Sequence, residues 1–221
     1  MNTLYKHAHL IIDDHKECLD GALLINDEYI KEVYINSNNI NEDDTRVIDV
    51  KGNIIMPDFF SGKENKVIID PLNINKIENK KILIGNTKAY DKDIKDLEYD
   101  GIYDLYHNMT GFDANKLGIV NTAFNNLDKY VFIDTSNIDL SVLKFTLNNL
   151  RKDRIILINK EEGIKTLKKL NINNTDILAM SSLNEYRFYE EDKLDGSLIK
   201  GKHSKILILD EEMNILNKEN F

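Results

Sequence analysis

Both prolines of this 221-residue chain, Pro57 and Pro71, lie in the stretch Lys51 to Leu72 (KGNIIMPDFFSGKENKVIIDPL), and the apolar pattern differs on its two sides. Proline removes a backbone donor and pushes the preceding residue toward extended conformations. The stretch is therefore a junction. Before it, apolar residues fall in short extended runs, LYKHAHLII, GALLI, YIKEVYI, RVIDV and NIIM, separated by turn-formers at Asp13-Asp14, Asn26-Asp27 and Asn36 to Asp44. They predict a small antiparallel sheet. KILIL (Lys205 to Leu209) and NIL (Asn214 to Leu216) are also strand-like, have no local partner, and are expected to complete that sheet from the far end of the chain.

After the junction, strand-like and helical runs alternate. KVIID, KILIG, IYDLY, VFID and RIILIN read as buried strands, and helices are expected near 91–99, 117–127, 139–150, 161–170 and 175–188. In the third of these, Leu140, Leu143, Leu147 and Leu150 share one face and are expected in the core. Such alternation gives βαβ units with right-handed crossovers. A closed eight-unit barrel takes about 250 residues, so the stretch from Ser61 to Phe188 has room for only part of one. The expected fold is α/β, an incomplete (β/α) barrel over 58–195 with a small β-sandwich built by 1–57 and 196–221.

Composition narrows the function. A formal charge of −9 with no long basic run argues against binding to nucleic acid. Cys18 is the sole cysteine, so neither an internal disulfide nor a thiolate zinc site can form, in keeping with a reducing cytoplasm. The chain starts without a signal-peptide pattern, and no run of about twenty apolar residues suits a bilayer. The expectation is a cytoplasmic protein without a membrane partner.

In order and spacing, DGALLINDEYIKEV, VIDVKGNIIMPDF, ILIGNTKAY, DLYHNMTGF, LGIVNTAF, FIDTSNIDLSVLK, DRIILIN, SSLNEYRFY and DGSLIKGKHSKILILDEEMNIL resemble the N-acetylglucosamine-6-phosphate deacetylases of the metal-dependent amidohydrolase superfamily. The resemblance covers nearly the whole chain and implies a (β/α)₈ barrel beside a small β-sandwich. It also implies a divalent metal such as zinc or iron. Between Phe60 and Lys66, where the family has its first barrel strands and a His-x-His ligand pair, almost nothing remains.

Every later family position carries a changed residue. Asn86 replaces a ligand histidine after Gly85, and Asp104 replaces another at the head of DLYHNM. Asn137 takes the place of the histidine that polarises the substrate carbonyl, and Lys160 that of the acid/base aspartate. Ala114 and Asn115 replace a phosphate-binding His-Arg pair, leaving Lys116 as the nearest point charge. With several ligands gone, no ion would be held to acidify water.

The expectation is a catalytically inactive relative with no metal cofactor and no catalytic residue. His107, Asn108, Lys116 and Asn137 would be vestigial contacts to a sugar phosphate. One alternative is an active amino-sugar-phosphate hydrolase with a site rebuilt from Asp104, His107, Asp134 and Lys160. Another is an assembly protein, its open sheet edge near Lys66 to Gly85 covered by a second copy or a protein partner. His7-Ala8-His9 has metal-ligand spacing but reads as ordinary strand histidines; His15 and His203 read as surface residues. Asp70, Asp104, Asp134 and Asp139 read as solvated or capping aspartates, with weak hard-cation binding as the alternative. Gly85, Gly111 and Gly118 read as turn glycines, and Glu190 to Asp195 as a loop without a site.

Overall fold

The computed structural model describes residues 2–61, 68–69, 82–84, 100–103, 117–118 and 129–219. In chain order the strands are β1 (Asn2–Ile11), β2 (Glu17–Asn26), β3 (Tyr29–Tyr34), β4 (Thr45–Asp49), β5 (Ile54–Pro57), β6 (Ile68–Ile69), β7 (Ile82–Ile84), β8 (Gly101–Tyr103), β9 (Tyr130–Ile133), β10 (Ile155–Leu157), β11 (Ile206–Leu209) and β12 (Ile215–Glu219). The helices are α1 (Leu140–Asn149), α2 (Lys160–Lys169), α3 (Asn174–Leu178) and α4 (Asn184–Phe188). Two compact units result, one of 1–60 with 167–221 and one of 61–166. The expected barrel domain ran to 195, but α3 and α4 fall in the first unit.

All the extended runs before the junction become strands, and the C-terminal runs complete their sheet. The order is β12-β11-β5-β1-β2-β3, with β4 on β1 as well. The ten-residue length of β1 makes this possible: residues 2–6 pair with β4 and residues 9–10 with β5. Both of these pairings are parallel, which corrects the expectation of a purely antiparallel sheet. A parallel return needs a crossover, and 35–44, expected as a turn, supplies it ahead of β4.

The sheet curls until its β3 edge meets the segment leading into β11. Tyr29 bridges His203, the Ile30 N–H donates to the Lys202 carbonyl at 2.8 Å, and the Gly201 N–H donates to the Ile30 carbonyl at 2.8 Å. Inside the curl lies a core that includes Tyr5, Leu10, Leu23, Ile25, Ile30, Ile55, Leu198 and Ile206. A fully buried aliphatic side chain contributes about 1.5–3 kcal/mol, so this interior is the main source of cohesion.

Residues 174–188 form one helical run interrupted by a π-helical turn at Ala179–Leu183. The Asn173 side chain caps its start by accepting from the Asp176 N–H at 2.7 Å. Two carboxylates from the β1–β2 region tie the run to the sheet. Asp14 takes both guanidinium nitrogens of Arg187, at 2.6 and 3.3 Å, and Glu17 accepts from Asn174 at 3.1 Å while sitting 2.8 Å from His9 Nε2.

Burial alone would raise the pKa of both acids, yet each is held below its ordinary value, Asp14 by Arg187 and Glu17 by His9 and Asn174. A lowered native pKa means stability that is complete above the unfolded value and lost as pH falls through the native one. Urea midpoints are therefore expected to hold near neutrality and to fall below about pH 4.5, the ordinary glutamate value. Replacing Asp14 and Glu17 together by Asn and Gln should flatten that fall; an unchanged acid slope would refute the linkage.

In the second unit β6 to β10 are all parallel and stand in sequential order, β10-β9-β8-β7-β6. A doubly wound sheet would reverse direction around an interior first strand. Sequential order is that of a barrel arc. Among the described residues no pairing joins β6 to β10. Val131, Phe132 and Ile133 of β9 and Ile155, Ile156 and Leu157 of β10 are all buried, the pattern of strands covered on both faces.

Asp139 caps α1 through the Ser141 N–H at 2.8 Å, and Leu143, Leu147 and Leu150 are buried as expected. Leu140 is not: it is 57% exposed in the first turn. Gly118 is helical rather than in a tight turn. Gly163 of α2 faces Leu157, whose Cδ1 would stand 3.0 Å from an added Cβ, so the missing side chain admits the helix to its strand.

Candidate functional site

In barrels of this kind chemistry collects where the strands end at their C-termini. The positions singled out in the sequence follow those ends. Asn86 lies two residues beyond Ile84 of β7, and Asp104 immediately follows Tyr103 of β8, but both side chains, with His107, Asn108, Lys116, Asp70, Gly85 and Gly111, lie outside the described residues. So does the predicted helix at 91–99.

Asn137 and Lys160 are placed. Asn137 ends the 3₁₀ turn Thr135–Asn137 after β9, and Lys160 opens α2 after β10. The two strands are neighbours in register, Val131 opposite Ile155 and Ile133 opposite Leu157, so the two positions follow the same end of one sheet. Asp134 accepts from the Ser136 N–H at 2.9 Å and from its hydroxyl at 2.7 Å, which makes it a cap. Asp139 is also a cap. The capping reading of these two acids holds.

At this rim the helix end favours acids over cations, because the unpaired N–H groups of the first turn carry partial positive charge. Glu161 and Glu162 answer that preference, while Lys160 brings a cation. Among the described residues no three His, Cys, Asp or Glu side chains come together as metal ligands.

Three polar groupings elsewhere were not foreseen from the sequence, and all lie in the first unit. Asp58, only 1% exposed, accepts from the Phe59 N–H at 2.7 Å, and Lys218 Nζ stands 2.9 Å from its Oδ2. That contact is one of charge, since the ammonium does not meet Oδ2 in hydrogen-bonding geometry. Asp195 and His203 pair at 3.0 Å, and the His203 ring lies 5.3 Å from that of Tyr29. His203 is thus part of the seam that closes the sheet and not a plain surface residue.

The third grouping is His7, Asp20 and Ser37. His7 and His9 do lie on β1 as strand histidines, but His7 sits at a bulge with φ of 53°, a left-handed conformation rare for so bulky a residue. The fully buried Ser37 donates its hydroxyl to Asp20 Oδ1 at 2.7 Å; His7 Nδ1 is 3.0 Å from Ser37 Oγ and 3.2 Å from Asp20 Oδ1. The Ser37 hydroxyl and then the His7 ring lower the pKa of Asp20. A His-x-His spacing was the only hint in the sequence, since Asp20 and Ser37 are brought in by pairing.

No helix of the described residues is long and apolar enough to cross a membrane. No protein-family model matches the chain, and no curated protein matches it. Solved structures do. An N-acetylglucosamine-6-phosphate deacetylase from Pasteurella multocida aligns over 99% of this chain and 98% of its own, with TM-score 0.63 and 10% identity. The deacetylase from Thermotoga maritima aligns over 98% of each chain, with TM-score 0.65 and 10% identity. A β-aspartyl dipeptidase from Fervidobacterium islandicum aligns over 99% of this chain and 94% of its own, with TM-score 0.66 and 9% identity. The chain thus resembles these deacetylases and other amidohydrolases, and the shared feature is the fold, a mixed α/β arrangement like part of a TIM barrel.

Proposed function

We propose that this protein is a catalytically inactive relative of the N-acetylglucosamine-6-phosphate deacetylases, a shortened barrel that binds an amino-sugar phosphate without hydrolysing it. The observation that carries this reading is Lys160 at the head of α2, directly after β10, where the resemblance calls for the acid/base aspartate. Amide hydrolysis by this route needs a metal-bound water and a group to shuttle its proton. The donor set does not fit a metal: an amide stands at 86, a lone carboxylate stands at 104, and the family's first ligand pair has no counterpart after Phe60.

The shortening is internal. The alignments run nearly from end to end of both partners, while the barrel-like unit occupies only 61–166 against about 250 residues for a complete barrel. We read the curled seven-stranded sheet as the counterpart of the family's small β-sandwich. A cytoplasmic location and vestigial contacts from His107, Asn108, Lys116 and Asn137 belong to the same reading.

The test joins metal analysis to a deacetylase assay. Protein purified from zinc- and iron-supplemented medium is expected to carry no stoichiometric metal and to release no acetate from N-acetylglucosamine 6-phosphate. The same sugar phosphate should raise the melting temperature, because a ligand that binds only the native state stabilises it. Stoichiometric metal together with turnover would overturn the proposal.

A further inference from the structure

His7 is held in a way the deacetylase resemblance does not call for. Its ring faces Asp20 and Ser37 through one nitrogen, Nδ1. The Ser37 proton is committed to Asp20 across 2.7 Å, so the hydroxyl oxygen presents lone pairs to the ring. Asp20 offers lone pairs as well. Both neighbours therefore require Nδ1 to carry the hydrogen, and in the neutral ring this leaves the free electron pair on Nε2. Nε2 has no partner among the described residues, and the side chain is 46% exposed.

The neighbouring histidines differ. His9 Nε2 is taken by Glu17 at 2.8 Å, and His203 is under a third exposed against the Tyr29 ring. His15 is 87% exposed, but its contact is a distant one, with Nε2 3.7 Å from Asp14. Exposure alone would make His15 the most reactive of the four described histidines. Preorganisation selects His7: the left-handed bulge fixes the backbone, the buried Ser37 fixes the carboxylate, and Asp20 stands ready to stabilise positive charge on the ring.

We infer that His7 is a surface nucleophile whose Nε2 accepts acyl groups from activated esters, with Asp20 and Ser37 as positioning residues. The Nε2 electron pair attacks the ester carbonyl carbon, forming the N–C bond. The carbon–oxygen bond to the leaving group breaks, and its electron pair departs as the alkoxide or phenolate. The ring is then cationic, and its Nδ1 proton passes by way of Asp20 to water, leaving a neutral acyl-imidazole. Water hydrolyses that intermediate, releasing the carboxylic acid and returning the proton to Nδ1.

The probe is p-nitrophenyl acetate, with release of nitrophenolate followed by absorbance and the acetyl adduct located by mass spectrometry of the quenched protein. The adduct is expected on His7 in preference to His15, and His7→Asn should abolish it together with most of the nitrophenolate release. Asparagine adopts left-handed conformations readily, so this variant keeps the bulge, which an unchanged circular-dichroism melt would verify. Asp20→Asn should slow the release several-fold and change its pH profile, whereas His15→Gln should leave both readouts as they were. An adduct that follows exposure, falling first on His15, or equal rates for the native protein and His7→Asn, would overturn the inference.

Discussion

Gly196→Ala is expected to destabilise the first unit strongly, because backbone strain and overpacking act there together. Gly196 has φ of +80°, and a Cβ there would stand 2.8 Å from Tyr186 Cδ2 and 3.2 Å from Leu183 Cδ1. The left-handed backbone costs about 1–2 kcal/mol for an L side chain. Overpacking adds about 1–3 kcal/mol when the neighbours cannot move. Tyr186 has little room to give. Its ring meets Phe60 edge-on at 5.1 Å, Phe60 is stacked on Tyr189 at 4.7 Å, and burial, with Asp195 and Asp58 nearby, keeps its phenol protonated well above the ordinary range.

Gly201→Ala supplies the comparison. Its φ is +89° but nothing lies within 4 Å of the added methyl, so only the backbone cost of about 1–2 kcal/mol applies. Urea midpoints of the two variants measure the difference. Equal losses would mean that the Tyr186 ring yields freely.

Lys218→Met should cost about 2–3 kcal/mol, less than the roughly 3–5 kcal/mol of breaking a fully buried pair, because Lys218 is itself 44% exposed and partly screened by water. The loss comes from Asp58, whose carboxylate would remain buried with the Phe59 N–H as its hydrogen-bond donor. If so, Asp58→Asn introduced beside Lys218→Met should restore most of the midpoint, since a buried amide lacks the charge that demands compensation. A double variant no more stable than Lys218→Met would show that the lysine acts through packing and not through its charge.

These residues also show where the sequence stopped being informative. IIMP could be read as a strand because three apolar residues run into a proline, and that reading needs no partner. Asp58, the next residue, looked like one more acid in a chain of net charge −9. Its burial follows from β11 and β12 returning beside β5, with Ile206 opposite both Pro57 and Glu219. That pairing links residues some 150 positions apart, and no local pattern encodes it. Likewise Ser37 and Asp20 gain meaning only when β2 and the segment after β3 come together beside the bulge at His7.

Leu140 fails for the opposite reason. Periodicity correctly identified the helix and its stripe, but spacing says which residues share a face and not how far the covering surface extends. The parallel pairing of β4 and β5 with β1 is a similar case: strand identity is local, whereas direction depends on the crossover between strands.

The sequence by itself determined the kinds of element and their order, because apolar periodicity and proline placement act over a few residues. It also determined which residues follow each strand of the second unit, so that Asn137 comes after β9 and Lys160 after β10. Only the tertiary structure decided that the terminal strands curl into one sheet, that β6 to β10 stand in sequential order, and that Asp58, Asp195 and Ser37 are buried. Those outcomes depend on hydrogen bonds and desolvation between distant segments, and the free energy of such contacts exists only once the chain has brought them together.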